Sequence, residues 1–216
     1  MKLRLQPIRV YCLHHVSLTF DEESMNADDW VQIEEFKNKV LHLQQDGVAF
    51  ISMTEAYQHI CDDWIRYREY AVLTFDDGYA SLKEILPWLE EHYIPSTLFI
   101  NGKYLDGKSF RKNPNEQYLA QEELFQLTTP LIEVGLHGWE HTDATKMTEN
   151  EFNASVMKSQ QLLTSHPRYI PFCAYPWGRH NKTIDKQLDK QQLIPVLMDG
   201  LMNYNNAHTI HRELLR

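Results

Sequence analysis

Short apolar runs alternate along the chain with stretches in which apolar residues recur at helical spacing. Runs of four to six residues bounded by polar or turn-forming residues are typical of buried strands. They predict strands at 9–13, 48–51, 70–75, 97–100, 131–136, 170–174 and 194–198. The helical spacing between them predicts helices at 28–45, 55–66, 81–92, 121–128, 149–164 and 182–190. This alternation indicates a parallel α/β domain.

Two local features modify this prediction. Pro87 falls inside the helix predicted at 81–92, so we expect either a kink or a late start there. Residues 101–120 are rich in Gly, Asn, Lys and Pro and predict a long loop. Long loops in compact domains often form the rim or lid of a functional site.

Polar residues of the kinds that catalyse reactions or bind metals follow most of the predicted strands. An open, doubly wound sheet and a closed barrel both fit the number of strands. A barrel is favoured because all strand ends then surround one mouth, where these residues would meet. They are His14 after the first strand, Asp76 and Asp77 after the third, His137 after the fifth, Tyr175-Pro176-Trp177-Gly178 after the sixth and Asp199 after the seventh.

Composition narrows the class of protein. With 216 residues, 43% of them hydrophobic and 24% charged, the chain is expected to form one globular domain spanning 1–216. The net charge of −9 argues against a nucleic-acid partner. No apolar window is long enough for a membrane span, and the N-terminus does not resemble a signal peptide, so we expect a cytoplasmic protein. Cys12, Cys61 and Cys173 are unevenly spaced, which predicts buried free thiols rather than disulfides.

The strongest candidate for chemistry is a mononuclear metal site. His137 and His141 are four residues apart and would lie on one helical face, where both imidazoles reach one ion. One carboxylate of the Asp76-Asp77 pair would complete the ligand set, and the other would stay free to remove a proton from water. Glu does not follow His137 directly, which disfavours a zinc-protease helix. Two histidines and a carboxylate also describe non-haem iron oxygenases, although these usually have antiparallel folds.

These residues resemble the polysaccharide deacetylase family, also called the NodB-homology domain. Thr74-Phe75-Asp76-Asp77-Gly78 and His137-x-x-x-His141 look like its first two motifs, and the likeness runs from Tyr11 to about Asp199. The resemblance implies a distorted (β/α) barrel of about seven parallel strands. It also implies that Asp76 is the general base and that Asp77, His137 and His141 hold the metal.

Tyr175-Pro176-Trp177-Gly178 is similar to the third motif of the family, which lines the substrate groove. The resemblance implies that the backbone N–H of Trp177 donates to the oxyanion. The arginine that usually braces the base would align with Ala174, and Arg179 is out of register. The branch resembling poly-N-acetylglucosamine deacetylases shares this departure.

That branch carries its catalytic-acid histidine after the first strand, which implies His14, with His15 as the alternative. His208 and His211 could play the same role in the commoner branch, but no apolar strand is predicted before them. Asp199 could orient the acid histidine, bind substrate or simply be solvated in a loop.

The resemblance therefore predicts a metal-dependent hydrolase that removes the N-acetyl group from an amino sugar. The substrate could be a polysaccharide or a lipid- or nucleotide-linked sugar. Zn is the expected ion, and Co or Ni would also suit ligands that include no cysteine. Trp139, Tyr175 and Trp177 offer faces on which a sugar ring could stack. The missing brace leaves a sugar-binding protein without catalysis as the alternative.

Overall fold

The computed structural model describes residues 6–62, 68–108, 115–204 and 208–215. The strands are β1 (Ile8–Leu13), β2 (His15–Ser17), β3 (Trp30–Gln32), β4 (Ala49–Phe50), β5 (Tyr70–Phe75), β6 (Ser96–Ile100), β7 (Ile132–Leu136), β8 (Tyr169–Ala174), β9 (Ile194–Met198) and β10 (Ile210–Leu214). The α-helices are α1 (Ile33–Gln45), α2 (Met53–Cys61), α3 (Leu86–Glu91), α4 (Gln121–Gln126), α5 (Glu149–Leu163) and α6 (Lys182–Lys190). Short 3-10 turns cover Ala27–Asp29, Ala80–Glu84, Gly102–Asp106, Ala144–Lys146 and Pro176–Gly178.

Seven parallel strands close into a barrel. Strands β5 to β10 pair in chain order, and β1 closes the ring by pairing with β5 on one side and β10 on the other. All the pairings in the ring are parallel, so the carboxyl ends of the seven strands meet at one rim. The predicted fold class, a (β/α) barrel of about seven strands, is confirmed.

The strand predictions succeed in number but not in every member. Each of the seven predicted segments contains a strand, yet the one at 48–51 is only the short β4, which pairs with β5 outside the ring. The seventh member of the ring is β10, in a region where no strand was predicted. This strand contains His211 and follows His208, and it proves central to the site.

The helices begin later than predicted in two places. The segment predicted as one helix at 28–45 contains a 3-10 turn, the short strand β3 and then α1. The segment around Pro87 is a 3-10 turn followed by α3, in which Pro87 occupies the first turn. Proline suits that position because its missing N–H has no intrahelical partner there. Of the expected helix at 55–66, residues 63–66 lie outside the described residues.

Two apolar clusters form the core. The larger fills the layer between the strands and the helices. The smaller takes alternate residues from six of the seven ring strands, so we assign it to the barrel interior, together with Met53, Ala56 and Ile60 of α2. Buried Glu133 of β7 accepts hydrogen bonds from the backbone N–H groups of Met53 and Thr54. A carboxylate inside the barrel thus caps α2.

The remaining sequence expectations concern thiols and membranes. Cys12 and Cys173 are buried as expected, whereas Cys61 is exposed. None of the helices in the described ranges combines the length and apolar character needed to cross a bilayer.

Candidate metal-dependent active site

Three of the predicted ligands converge at the rim of the barrel. The Nε2 atoms of His137 and His141 lie 3.6 Å and 3.3 Å from Oδ1 of Asp77. All three donor atoms lie within 4.8 Å of one another, and all three residues are buried. Ligand atoms about 2.0–2.1 Å from a tetrahedral zinc ion are separated by about 3.3–3.5 Å. The three donors therefore fit a small divalent ion.

The two histidines do not lie on a helix. Residues 137–141 form an irregular loop after β7, in which Gly138 and His141 have φ angles of 72° and 54°. The predicted helical face is therefore wrong, because left-handed residues break helical geometry. Gly138 suits this conformation because it has no Cβ. Asp77 is also left-handed, with φ 70°, in the turn that follows β5.

Neighbouring groups orient these donors before any ion binds. Nδ1 of His137 lies 2.9 Å from the carbonyl oxygen of Ala174. We assign the ring proton to Nδ1 because a carbonyl can only accept, and this leaves the lone pair of Nε2 directed towards Asp77. The side-chain amide of Asn101, at the end of β6, donates to Oδ1 of Asp77 at 2.8 Å. Such supporting bonds fix the tautomer and direction of metal ligands.

The second aspartate is paired with an arginine from the last strand. Nη1 of Arg212 donates to Oδ1 of Asp76 at 2.6 Å, and Nη2 donates to Oδ2 at 2.8 Å. Arg212 also donates to Thr74 and to the carbonyl of Leu197, and its guanidinium lies 5.3 Å from the ring centre of Phe99. Both charged side chains are almost fully buried. A brace on Asp76 is therefore present, although it comes from neither position 174 nor Arg179.

Arg212 keeps Asp76 ionised. Burial is the largest single influence and raises the pKa of the Asp76 carboxyl, but the charge and hydrogen bonds of Arg212, together with the neighbouring His137 and His14, outweigh burial and hold the pKa well below its usual range. Burial lowers the pKa of His137, which favours the neutral imidazole needed for a metal ligand. The site thus offers one carboxylate and two neutral rings to an ion, beside a second carboxylate neutralised by a fixed cation.

The four candidate acid histidines occupy different places. His14 shares a pocket with Asp76, and one of its ring nitrogens lies within 4.8 Å of both a carboxylate oxygen of Asp76 and the thiol of Cys12. His15 stacks on Tyr79 instead, and its Nδ1 lies 3.1 Å from the hydroxyl of Ser81.

The late histidines lie away from this pocket. Arg212 points into the barrel, so its neighbour His211 lies on the outer face of β10. There Nδ1 of His211 is 2.7 Å from Oδ2 of Asp199. Asp199 is not among the residues that line the pocket containing Asp76, and its expected role in orienting a histidine or binding substrate stays a prediction. His208 is exposed and precedes β10, at the opposite end of that strand from the rim.

The segment predicted as the third motif forms one wall of the pocket. Trp177 is left-handed, with φ 62°, and its half-exposed ring lies 4.8 Å from that of His141 at an angle of 63°. Tyr175 is buried, lines the pocket and donates its hydroxyl to Asp185. Pro176 is buried.

Arg179 has a structural contact of its own. It donates to Asp143 at 2.8 Å and so ties this wall to the loop that carries His141. Trp139 packs against Gly102 and lines a separate cavity near α5 rather than the pocket that contains Asp76.

The pocket itself has a volume of about 240 Å³. Its lining residues are Cys12, His14, Asp29, Asp76, His137, His141, Tyr175, Trp177, Gly178, Met198, Arg212 and Leu214. Arg212, Asn101 and Cys12 were not identified from the sequence. Ile210, Arg212 and Leu214 alternate as residues on one face of a strand do. The charge of Arg212 interrupts the apolar pattern by which such a strand is recognised in a sequence.

Comparison with known proteins identifies the family. The sequence model described as polysaccharide deacetylase matches residues 66–195, more than half of the chain. The chain belongs to the polysaccharide deacetylase family. Among curated members, the peptidoglycan-N-acetylglucosamine deacetylase PgdA of Listeria monocytogenes is 27% identical over 150 residues, which cover 66% of this chain. They cover only 29% of PgdA, so the chain spans less than a third of that relative.

Solved structures of other deacetylases share the fold over nearly the whole chain. IcaB from Ammonifex degensii superposes with a TM-score of 0.81 at 22% identity, covering 98% of this chain and 92% of IcaB. The Streptococcus pyogenes deacetylase PplD, solved in complex with acetate, gives a TM-score of 0.84 at 18% identity, covering 98% and 93%. At these identities the likeness establishes the fold alone.

Proposed function

We propose that this polysaccharide deacetylase family member is a metal-dependent hydrolase that removes the acetyl group from an N-acetylated amino sugar. One observation carries the proposal. Buried Asp76 is paired with Arg212, and its Oδ2 lies 3.8 Å from Nε2 of His137 in the three-donor cluster of Asp77, His137 and His141. A free carboxylate next to a metal-ligand set is the arrangement that activates water for hydrolysis.

The role of the ion follows from its chemistry. When held by Asp77, His137 and His141, a divalent ion such as zinc supplies Lewis acidity towards the acetyl carbonyl and towards water. Zn²⁺ is the ion we expect from two imidazoles and one carboxylate, with Co²⁺ or Ni²⁺ as alternatives.

The chain's own residues divide the proton transfers between them. Asp76 accepts a proton from the attacking water as the new C–O bond forms. Its bidentate pairing with Arg212 keeps the carboxylate charged and fixes the direction of both oxygens. His14 then gives a proton to the amide nitrogen as the C–N bond breaks, so that acetate and a free amine leave. The backbone N–H of Trp177 donates to the developing oxyanion, a contact typically worth about 3 kcal/mol of barrier.

The pocket wall and the family both favour a sugar substrate. The half-exposed ring of Trp177 offers an apolar face on which a pyranose can stack beside His141. Because PgdA is named for peptidoglycan N-acetylglucosamine, a glycan of that type is the first substrate to test. A sugar-binding protein without catalysis is now less attractive, because the arginine brace thought to be missing is supplied by Arg212.

Acetate release tests the proposal directly. We expect acetate from at least one of a panel of N-acetylated amino sugars: free, oligomeric, peptidoglycan-derived, lipid-linked and nucleotide-linked. Activity should disappear with a chelator and return with Zn²⁺. The absence of acetate from the whole panel, in folded protein loaded with metal, would contradict a hydrolase. Oxygen consumption with iron would instead support an oxygenase.

Two pairs of matched variants test the assigned roles. Asp76→Asn should abolish turnover while the protein still binds zinc, whereas Asp199→Asn should stay near wild type because Asp199 lies outside the pocket. His14→Gln should lower the rate by roughly 100-fold or more, the usual contribution of an acid catalyst. His211→Gln should leave the rate near wild type. A fully active Asp76→Asn enzyme would refute the role of the base, and the opposite result for the histidine pair would reassign the acid.

A further inference from the structure

A second group of metal-ligating side chains lies beside the first. The thiol of Cys12, a ring nitrogen of His14 and a carboxylate oxygen of Asp76 lie within 4.8 Å of one another. None of these three residues belongs to the set formed by Asp77 and the two loop histidines. A thiolate, an imidazole and a carboxylate together are a donor set that zinc and cadmium favour.

The distances within this group suit an ion. Sγ of Cys12 lies 3.5 Å from Oδ2 of Asp76, to which the thiol donates a hydrogen bond. Tetrahedral zinc with Zn–S near 2.3 Å and Zn–O near 2.0 Å separates the two ligand atoms by about 3.5 Å. Arg212 uses one lone pair on each oxygen of Asp76, and a carboxylate has about four such sites. Oδ2 can therefore accept from the guanidinium and bind an ion at once.

An ion can reach this group. Cys12 and His14 line both the pocket of about 240 Å³ and the adjoining cavity of about 650 Å³ between β1, α1 and the end of β10. The other two thiols differ in setting, since Cys61 is exposed and buried Cys173 belongs to the larger apolar cluster.

We propose that Cys12, His14 and Asp76 form a second, inhibitory site for a thiophilic divalent cation such as Zn²⁺ or Cd²⁺. As the S–metal bond forms, the S–H bond breaks and its proton passes to solvent. The bound ion occupies Asp76 and His14, which are the base and the acid of the proposed function. Zinc therefore activates the protein through one site and inhibits it through the other. The inhibition rests on the proposed function, but the site does not.

Cadmium titration tests the site without any substrate. The probe is Cd²⁺ alone, added to metal-free Cys61→Ser protein, in which the exposed thiol no longer competes. We expect two bound equivalents and an ultraviolet S–Cd charge-transfer band. Cys12→Ser in this background should lose the band and one equivalent. Cys173→Ser, the matched variant of the other buried thiol, should keep both.

Further variants separate the two sites and control for folding. Asp77→Asn should weaken Cd²⁺ binding at the site formed by Asp77, His137 and His141, which contains no sulfur, and leave the S–Cd charge-transfer band intact. His14→Ala should lower the affinity for the Cd²⁺ ion bound at Cys12 by at least about tenfold. Even a group that only supports a metal ligand contributes that much to affinity. If Cys12→Ser still binds one Cd²⁺ ion at Asp77, His137 and His141, this variant is folded. The proposed site would be refuted if the Cys61→Ser protein showed no S–Cd band, or if the band remained after Cys12→Ser.

Zinc titration of acetate release tests the inhibition. We expect activity to rise with the first equivalent and fall at least about tenfold as the second binds. Cys12→Ser, scaled to its own maximum, should lose the falling phase. Two bound ions with no falling phase would refute the inhibitory role. No acetate under any condition would count against the proposed function, whereas the cadmium band would still decide whether the site exists.

Discussion

The pairing of Asp76 with Arg212 predicts a large loss of stability when one partner is removed. Replacement of Arg212 by Met keeps a long apolar side chain and deletes the guanidinium. Both side chains are almost completely buried in the wild type. The variant would leave Asp76 as a buried charge without its bidentate partner. Removal of one member of a buried ion pair typically costs about 3–5 kcal/mol.

The expected change is large enough to measure by urea unfolding in the presence of a chelator. For an m-value of about 2 kcal/mol per M, the midpoint should fall by roughly 1.5–2.5 M. Arg179→Met is the matched control, because its pair with Asp143 involves a side chain that is 58% exposed. That variant should lose less than about 1 kcal/mol. Arg212→Lys should fall between the two, since an ammonium cannot reproduce the fork geometry.

A double-mutant cycle decides whether the loss comes from the pair itself. Asp76→Asn alone leaves Arg212 as the unmatched charge, whereas Asp76→Asn with Arg212→Met leaves neither. The double variant should therefore be more stable than the sum of the two single losses predicts, by about 1–3 kcal/mol. Strict additivity, or a loss for Arg212→Met no larger than for Arg179→Met, would refute the reasoning.

Three further predictions concern the scaffold. Glu133→Ala should lower the free energy of unfolding by about 1–3 kcal/mol in thermal or urea unfolding, because the N–H groups of Met53 and Thr54 lose their buried acceptor; an unchanged transition would contradict this cap. Gly135→Ala should cost about 1–3 kcal/mol, because a Cβ there would lie 2.6 Å from the ring of Phe99 and 3.0 Å from the carbonyl of Phe172; a wild-type melting curve would show that the interior can adjust. Burial lowers the pKa of His166 below its usual 6.5, so its contribution to stability is complete above about pH 6.5 and is lost as pH falls through the folded-state pKa. Urea midpoints from pH 5 to 7.5 should fall less steeply for His166→Gln than for wild type, and parallel profiles would contradict this.

The parts of the fold that the sequence predicted are those with strong local periodicity. β5 and β9 have the predicted bounds, and α6 begins and ends where its spacing indicated. Runs of apolar residues specify such elements because any register that buried fewer of them would be less stable. The carboxyl ends of parallel strands then bring Asp76, Asp77 and His137 to one rim without further information.

The residues that escaped prediction depend on contacts between distant segments. The charge of buried Arg212 is neutralised by Asp76, which lies 136 positions earlier in the chain. No local pattern marks such a distant partner, so no strand is predicted over β10. The loop from His137 to His141 was similarly misjudged, because spacing by four residues cannot distinguish a helical turn from a loop with left-handed residues.

The last strand of the barrel has two tasks at once. It seals the ring by pairing with β1 and β9, and it delivers the guanidinium that Asp76 requires. Asp76 gains the guanidinium of Arg212 only when β10 docks between β9 and β1. Until then the carboxylate at the mouth retains its hydration, because a dry and unmatched charge is costly. The closure of the ring and the orientation of Asp76 therefore occur in the same step. A barrel in which β10 has not yet paired lacks a correctly oriented base.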